Sequence, residues 1–344
     1  MLKKIRTSGF KCFDNEELLL RNFTLLTGVN SAGKSSLIQS ILFLLQQKDR
    51  GQNPLNGKCV RLGLLQDIRN VITNAKTIEI AVENEGGDIC KVCMDTEGMC
   101  EIQNEEFLQE IDFVYLSAER IGVKDIYQQN LTNEYRIGIH GEYSFDYLSR
   151  ERMSELPESV FRFPGTGANL GNQVDYWLDY ITGYRITAEQ VTGTEVVKVS
   201  YRKSVNGSRE TKPYHIGTGV SYVANIVIAA LSCKQGSLFV VENPEIHLHP
   251  GAQSKLLEFL CYLSARGLQI IVETHSDHMF NGLRKNVKKK VISVGQVGVY
   301  FFKLDENDLS RPVFIELDEN GSVRNHEKGL FDQFDNDLDE LLGL

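Results

Sequence analysis

Residues 28–35 combine glycines, a lysine and a serine in a spacing that suits phosphate binding. Their sequence, GVNSAGKS, matches the pattern G-x-x-x-x-G-K-[ST] at every fixed position. The glycines let backbone N–H groups turn inward around phosphate oxygens, and a following helix adds the positive end of its dipole. The pattern therefore predicts a nucleotide-phosphate site. Its expected contacts are Asn30, Ser31, Ala32, Gly33, Lys34, Ser35 and Ser36.

Such a site works with Mg²⁺, and the sequence offers oxygen ligands for that ion. We expect Lys34 to reach the β- and γ-phosphates and the Ser35 hydroxyl to bind Mg²⁺. A further Mg²⁺ ligand is expected from Glu242. It follows the apolar run 238–241, as the last residue of a buried parallel strand would. The predicted cofactors are therefore ATP and Mg²⁺.

Regular elements can be predicted on both sides of these groups. Residues 35–47 carry apolar side chains at helical spacing, which predicts a helix directly after the glycine-rich segment. Up to about residue 115 the chain is rich in short β-prone runs separated by Gly, Asn and Asp. The strands expected there cover residues 2–13, 18–27, 60–65, 77–82 and 89–94.

A strand–helix–strand rhythm begins at residue 236. Strands are expected at 237–241 and 268–273, with a helix at 251–264 between them, which indicates a parallel sheet covered on both faces. His275 follows the second strand and Glu242 ends the first. The carboxyl ends of neighbouring parallel strands meet at one edge, so His275 is expected where it can contact a γ-phosphate.

Taken together, these motifs resemble the ATP-binding-cassette class of P-loop ATPases. The chain is similar to arm-less relatives of SMC and RecF heads and to the ATPase half of OLD-type proteins, as found in bacterial AAA-family ATPases of defence systems. The resemblance rests on residues 242–250 (ENPEIHLHP) and 274–276 (THS). It extends to residues 10–13 and 115–120. Residues 329–333 are similar to the tail of one poorly characterised bacterial branch.

The resemblance implies an α/β fold, a P-loop NTPase built as an ATP-binding-cassette head. It would have an N-terminal antiparallel β-subdomain and an inserted signature lobe. Residues 1–116 would form the first part of the nucleotide-binding lobe, and residues 236–344 its second part, with the acid and the histidine. Residues 117–235 would form the inserted lobe.

The resemblance also implies a signature segment that closes over ATP bound to a second subunit. The best match is residues 216–222, in which Gly217, Gly219 and Ser221 would present donors to the γ-phosphate. The alternative is an ordinary helix start with a glycine turn and a serine cap. For the glutamine loop that joins the Mg²⁺ shell, Gln66 and the turn 117–120 are both candidates.

The expected catalytic set is Glu242, Asn243, Glu245 and His275. Cassette ATPases usually follow the Mg²⁺-linked acid with a glutamate that activates water, whereas this chain has Asn243 there. An amide can hold a water molecule but is not a useful base at neutral pH. Glu245 is the expected substitute, and the expected hydrolysis is slow.

The resulting functional prediction is an ATP-binding and ATP-hydrolysing switch. It would close as an ATP-sandwich homodimer, or a higher assembly of such dimers, and regulate a nuclease or toxin in bacterial anti-phage or anti-plasmid defence. The alternative is a RecF-like repair ATPase that holds nucleic acid with the lysine cluster at 285–290. A nuclease within the same chain is disfavoured, because the acidic set after Ser276 is thin.

Composition restricts these classes further. The chain has 344 residues and a formal net charge of −9, which excludes an overall basic nucleic-acid binder but not a local basic patch. No secretory leader opens it, and no apolar run approaches the ~20 residues of a membrane span. We therefore expect a cytoplasmic protein without membrane contact.

The C-terminal residues predict an amphipathic acidic helix. Its apolar side chains fall at helical spacing with acids between them, and it would dock either on its own core or on a partner. The apolar positions are Phe331, Phe334, Leu338, Leu341 and Leu342.

Overall fold

The chain forms two compact units. This computed structural model describes residues 1–49, 53–132, 136–205 and 209–342, without the side chains of 333–336 and 339. Unit 1 consists of Met1–Ile111 and Ser293–Leu344, and unit 2 of Asp112–Ile292. The lobes expected at 1–116, 117–235 and 236–344 were assigned by their functional motifs and not by compactness. That three-part division stays a prediction. None of the described helices combines the length and the hydrophobicity that a membrane span needs.

The elements expected at 35–47, 89–94, 237–241, 251–264 and 268–273 are confirmed to within one residue. The strands expected at 2–13 and 18–27 are each interrupted, after residues 10 and 19, and the strand expected at 77–82 lies at 78–84. The strands are β1 (Leu2–Phe10), β2 (Phe13–Leu19), β3 (Phe23–Gly28), β4 (Ile78–Asn84), β5 (Ile89–Met94), β6 (Cys100–Gln103), β7 (Phe113–Leu116), β8 (Ile126–Gln128), β9 (Tyr184–Gln190), β10 (Val196–Lys203), β11 (Leu238–Glu242), β12 (Gln269–Glu273), β13 (Val297–Leu304) and β14 (Ser310–Phe314). The helices are α1 (Lys34–Gln46), α2 (Leu65–Ile68), α3 (Glu105–Glu110), α4 (Ser144–Glu151), α5 (Leu170–Thr182), α6 (Gly219–Leu231), α7 (Pro250–Ser264), α8 (Asp277–Lys288) and α9 (Gln333–Leu342).

Unit 1 contains the predicted antiparallel β-subdomain. Its strands pair in the order β2-β1-β4-β5-β6, each antiparallel to its neighbour. Elsewhere in the unit, β3 pairs in parallel with β13, which pairs antiparallel with β14. The apolar residues of β3 are fully buried, and helix α1, which follows the loop after β3, has a buried apolar face. The glycine-rich segment therefore lies between a well-packed strand and a well-packed helix.

Unit 2 contains the predicted parallel strands. β11 lies between β7 and β12 and is parallel to both. Its residues 238–241 are buried and apolar, as a strand covered on both faces requires. Helix α7 makes the crossover from β11 to β12, and α8 packs against α7. The unit also has a small antiparallel sheet in the order β8-β10-β9.

Two further expectations differ from the structure. The strand expected at 60–65 is wrong, because this segment folds as a loop in which the Asn56 side chain bonds both backbone groups of Gly63, and α2 begins at Leu65. The tail helix is confirmed but starts at Gln333, after Phe331 with a φ of 53°. The side chain of Phe334 lies outside the described residues.

Candidate functional site

The glycine-rich loop of unit 1 can only be built with glycine at its two fixed positions. At Gly28, with a φ of 133°, an added Cβ would lie 2.2 Å from the Phe302 carbonyl oxygen. At Gly33, with a φ of 109°, it would lie 2.6 Å from the Ser310 hydroxyl. Glycine is therefore required at both fixed positions of the pattern, by the close packing against β13 and β14 and by the backbone conformation.

The lysine of the loop is held by the loop itself. Lys34 begins α1 and is only 3% exposed. Its ammonium donates hydrogen bonds to the carbonyl oxygens of Gly28, at 3.0 Å, and Val29, at 2.7 Å. The positive charge thus lies inside the turn that the sequence pattern assigns to a phosphate.

The remaining expected phosphate contacts surround this lysine in sequence but differ in exposure. Asn30, Ser31 and Ser35 are exposed, Ser36 is half-buried and Ala32 is buried. Ser31 has a φ of 61°, a left-handed conformation within the turn. Asn30, Ser31 and Ser35 therefore present their polar groups at the surface of the loop, whereas Lys34 lies beneath them.

Ser310 is a structural residue of this loop that sequence reasoning missed. Its hydroxyl donates to the Ala32 carbonyl oxygen at 2.6 Å, and its backbone N–H donates to the Cys12 carbonyl oxygen at 2.9 Å. Ser310 lies far along the chain from the loop, so no local sequence signal marks it.

In unit 2, the carboxylate of Glu242 ends β11 in a polar setting. It accepts hydrogen bonds from the Tyr115 hydroxyl at 3.1 Å and from the Ala118 N–H at 3.2 Å. Burial raises the pKa of this carboxyl above its ordinary value, and the two hydrogen bonds act in the opposite direction. The turn after β7 therefore fixes the orientation of the acid.

A buried arginine clamps the backbone at the same strand end. Arg120 is 4% exposed and donates to the carbonyl oxygens of Glu242, at 2.5 Å, and Asn243, at 2.6 Å. Burial lowers its pKa to about 10, against the opposing effect of the Glu245 and Glu242 carboxylates, so it is a cation at neutral pH. Asn243, whose carbonyl oxygen Arg120 holds, has a left-handed backbone conformation with a φ of 42°. Sequence reasoning placed residues 117–120 only as a candidate glutamine loop and missed the clamp.

Glu245 and His275 are brought together at this edge. The His275 backbone N–H donates to Glu245 Oε1 at 2.9 Å. The other oxygen, Oε2, is buried and has no hydrogen-bond partner among the described residues. The His275 side chain is exposed, directly after β12. The four expected catalytic residues, Glu242, Asn243, Glu245 and His275, thus all lie at the carboxyl ends of β11 and β12.

The residues of the expected signature segment differ in their exposure. Gly217 is exposed, and Gly219 begins α6, where an added Cβ would lie 2.5 Å from the His247 carbonyl oxygen. Ser221, however, is fully buried inside the helix and accepts a hydrogen bond from the Tyr201 hydroxyl at 3.0 Å. The Ser221 hydroxyl therefore does not face solvent, which corrects its expected role as a donor to a nucleotide. Gln66 is exposed on α2 of unit 1.

Two family models match long parts of the chain. The model described as "AAA domain, putative AbiEii toxin, Type IV TA system" matches residues 106–281, about half of the chain. The model described as "AAA ATPase domain" matches residues 1–159. A third, described as a protein of unknown function, matches residues 292–341. No curated protein matches the sequence.

Several solved SMC heads share the fold. The SMC head bound to the C-terminal winged-helix domain of ScpA is 15% identical, with 92% of this chain and 98% of that chain covered and a TM-score of 0.61. The SMC head from Thermotoga maritima is 12% identical, with 92% and 99% covered and a TM-score of 0.52. An SMC head with an extended coiled coil, bound to the C-terminal domain of ScpA derived from Pyrococcus furiosus, is 11% identical, with 99% of both chains covered and a TM-score of 0.57. This likeness confirms the expected resemblance to SMC heads.

Proposed function

The chain belongs to the family of AAA domains described as putative AbiEii toxin of a type IV toxin–antitoxin system, and on that premise we propose that it is an ATP-driven switch that regulates an effector. The membership makes it an ATPase domain of the AAA type. The observation that carries the proposal is the glycine-rich loop, whose two fixed glycines and buried Lys34 form a turn suited to phosphate.

The proposed nucleotide is ATP with Mg²⁺. Lys34 would contact the β- and γ-phosphates, and the Ser35 hydroxyl and the Glu242 carboxylate would hold Mg²⁺, which neutralises charge on the phosphates. Both are hard oxygen ligands of the kind that ion prefers. In the described part of the chain, no group of three His, Cys, Asp or Glu side chains is arranged to hold a metal. The remaining ligands would therefore be phosphate oxygens and water, as is usual for Mg²⁺. Gln66 stays a proposed contributor.

We propose slow hydrolysis, because the strand end offers an amide at the usual base position. Asn243 can hold a water molecule by hydrogen bonds, and Glu245, two residues on, would take the proton. The supporting observation is the buried, unpartnered Oε2 of Glu245 among the described residues. His275 would contact the γ-phosphate. A native turnover near the enzyme median of about 10 s⁻¹ would contradict this part of the proposal.

The proposed output is closure of two copies around ATP. Exposed Gly217 and the first turn of α6 would face the nucleotide of a second copy, in a homodimer or an assembly of such dimers. The long-lived closed state would regulate an associated nuclease or toxin in defence against phage or plasmids. The family description, which names a toxin–antitoxin system, supports the proposal that the effector is a toxin or nuclease of a defence system.

The test is substitution of the loop lysine. Lys34→Ala is expected to abolish ATP binding, measured by isothermal titration, because the point charge on the phosphates is lost. Lys3→Ala, at an exposed lysine of the same unit, is the matched control and should bind normally. Full ATP affinity in Lys34→Ala would contradict the site assignment.

A second candidate function is nucleic-acid binding, favoured by a basic surface at the end of α8. Lys285 and Lys288 of its last turn and the following Lys289 and Lys290 are exposed, and Glu258 of α7 pairs with Lys289 at 3.7 Å. Duplex DNA that stimulates ATP turnover would favour this function, provided that the stimulation falls with salt. It should also be lost when residues 288–290 are neutralised together.

A further inference from the structure

Unit 2 has an apolar groove where three helices meet. It has a volume of about 440 Å³ and lies between the end of α5 and the first turns of α6 and α7. Its apolar walls are Ile181, Val220, Leu248 and Ala252. Gly217, Gly219 and Gly251 also line it, so backbone rather than side chain borders much of the opening.

The rim of this groove favours negative charge. The residues that line it include no carboxylate, whereas Lys255 stands at its edge beside His247 and His249. Lys285 lies near this edge, because its ammonium donates to the hydroxyl of Ser254, the neighbour of Lys255. The first turns of α6 and α7 both line the groove, and helix N-termini attract anions. A suitable occupant therefore has an apolar face flanked by acids.

The C-terminal helix α9 has this chemistry. Leu338, Leu341 and Leu342 are 41%, 84% and 63% exposed and lie on one face, at spacings of three and four residues. Acidic residues surround this face in the sequence. They are Asp332, Asp335, Asp337, Asp339 and Glu340. A ten-residue helix is only marginally stable in water without packing. Covering the leucines would therefore stabilise it.

We propose that α9 of one copy docks its leucine face into the groove of a second copy, with its acids towards Lys255 and Lys285. The mode is helix-in-groove recognition, in which leucines spaced along one face act as anchors. A second copy is the proposed partner because this chain carries both complementary surfaces, a leucine face flanked by acids on α9 and an apolar groove with a basic rim in unit 2.

Docking of the tail would exclude closure around ATP. The groove includes Gly217 and Gly219, which the proposed function assigns to the nucleotide of the opposite copy. This step rests on the proposed function, whereas the docking itself does not. The tail would thus hold two copies in an open pairing that ATP must displace.

The test is cross-linking between two full-length copies without nucleotide. A copy with Leu341→Cys is mixed with a differently tagged copy with Ala252→Cys, and a short bis-maleimide is added. The expected result is a cross-linked product of twice the chain mass. A mixture of Ala252→Cys with the unsubstituted chain measures the background from the native cysteines. A yield no higher than that background would overturn the proposal.

Two further substitutions decide whether the contact is the proposed one. Leu338→Asp in the tail copy should reduce the affinity by about tenfold or more, as loss of an interface anchor does. Lys255→Glu in the groove copy should also weaken docking, with the tail left intact. Leu64→Asp, at a leucine that is 63% exposed on α2's flank, is the control and should change nothing. Unchanged yields in both test variants would overturn the proposal.

Further outcomes test whether docking occurs in trans and whether it excludes closure. A chain carrying both cysteines that cross-links within itself at high dilution would overturn the second-copy assignment. Added ATP should reduce the yield for the normal chain but not for Lys34→Ala. An unchanged yield in a chain that still hydrolyses ATP would overturn the exclusion of closure. A failure to hydrolyse ATP would instead overturn the proposed function and leave the nucleotide-free yield unaffected.

Discussion

The glycine-rich loop of unit 1 and the strand-end cluster of unit 2 are built in different ways. The loop is made mainly of backbone: Gly28 and Gly33 pack against neighbouring strands, and Lys34 is held by carbonyl groups of the same loop. The cluster is made mainly of side chains that come from separate elements, as in the contacts of Arg120 and Tyr115 with the end of β11.

This difference decides what each region tolerates. A backbone-built loop depends on the absence of side chains at a few positions, so it fails when a Cβ is added. A side-chain cluster depends on charge and on hydrogen-bond partners, so it fails when one polar group is removed and its partners stay buried. Four substitutions test this difference between the two regions.

The largest effect is expected at the proposed base. Glu245→Gln should lower the single-turnover rate of ATP hydrolysis by about 100-fold or more, because general-base assistance is worth 10²–10⁴ in rate. ATP affinity should be unchanged, since the substitution keeps the shape and leaves the loop intact. Glu189→Gln, at an exposed glutamate of the same unit, is the control. If the rate is the same as in the native chain, Glu245 is not the base.

The next effect is expected in the loop. Gly33→Ala should weaken ATP binding by about 30-fold, because strain at a positive φ costs on the order of 2 kcal/mol and the new Cβ meets Ser310. Gly98→Ala is the matched control: its φ is also positive, at 81°, but no atom lies within 4 Å of the added Cβ. Equal ATP affinities in the two variants would show that the close packing of Gly33 against Ser310 does not matter for ATP binding.

A smaller effect is expected at the buried arginine. Arg120→Met should lower the free energy of unfolding by about 1–3 kcal/mol, because the Glu242 and Asn243 carbonyl groups lose their charged donor. Urea unfolding measures this change. Arg120→Lys should recover only part of the loss, since one ammonium cannot reproduce a planar fork. Full stability in Arg120→Met would show that the clamp does not hold the strand end.

The smallest effect is expected at Glu242 and depends on pH. Its folded-state pKa is raised by burial, so the neutral form is favoured in the folded protein and stability is lost as the pH rises through that pKa. Glu242→Gln should therefore be slightly more stable than the native chain at pH 7, with the difference disappearing in acid. Thermal unfolding at several pH values measures this. A native chain that is the more stable one at pH 7 would contradict the assigned direction.

Most elements near the motifs could be predicted because their signals are local. Helix α1 and strands β11 and β12 follow from apolar spacing within a dozen residues, and each agrees with its expected bounds to within one residue. The segment 60–65 failed for the same reason, since its apolar residues are spaced as in a strand although it folds as a loop, with Leu62 buried and Leu64 exposed. The tail helix was expected from spacing, but the exposure of its leucines was not.

The glycine-rich loop and the acid, amide and histidine after the two strands could be predicted from the amino-acid sequence, because each depends on neighbouring residues. The fold was needed to show that Arg120 clamps the end of β11, that the Ser310 hydroxyl bonds Ala32 and that Ser221 is buried against Tyr201. Those contacts join residues that are 20 to 278 positions apart. A hydrogen bond is made at about 3 Å whatever the separation along the chain. The folding of intervening elements therefore sets these partners, and spacing in the sequence carries no record of them.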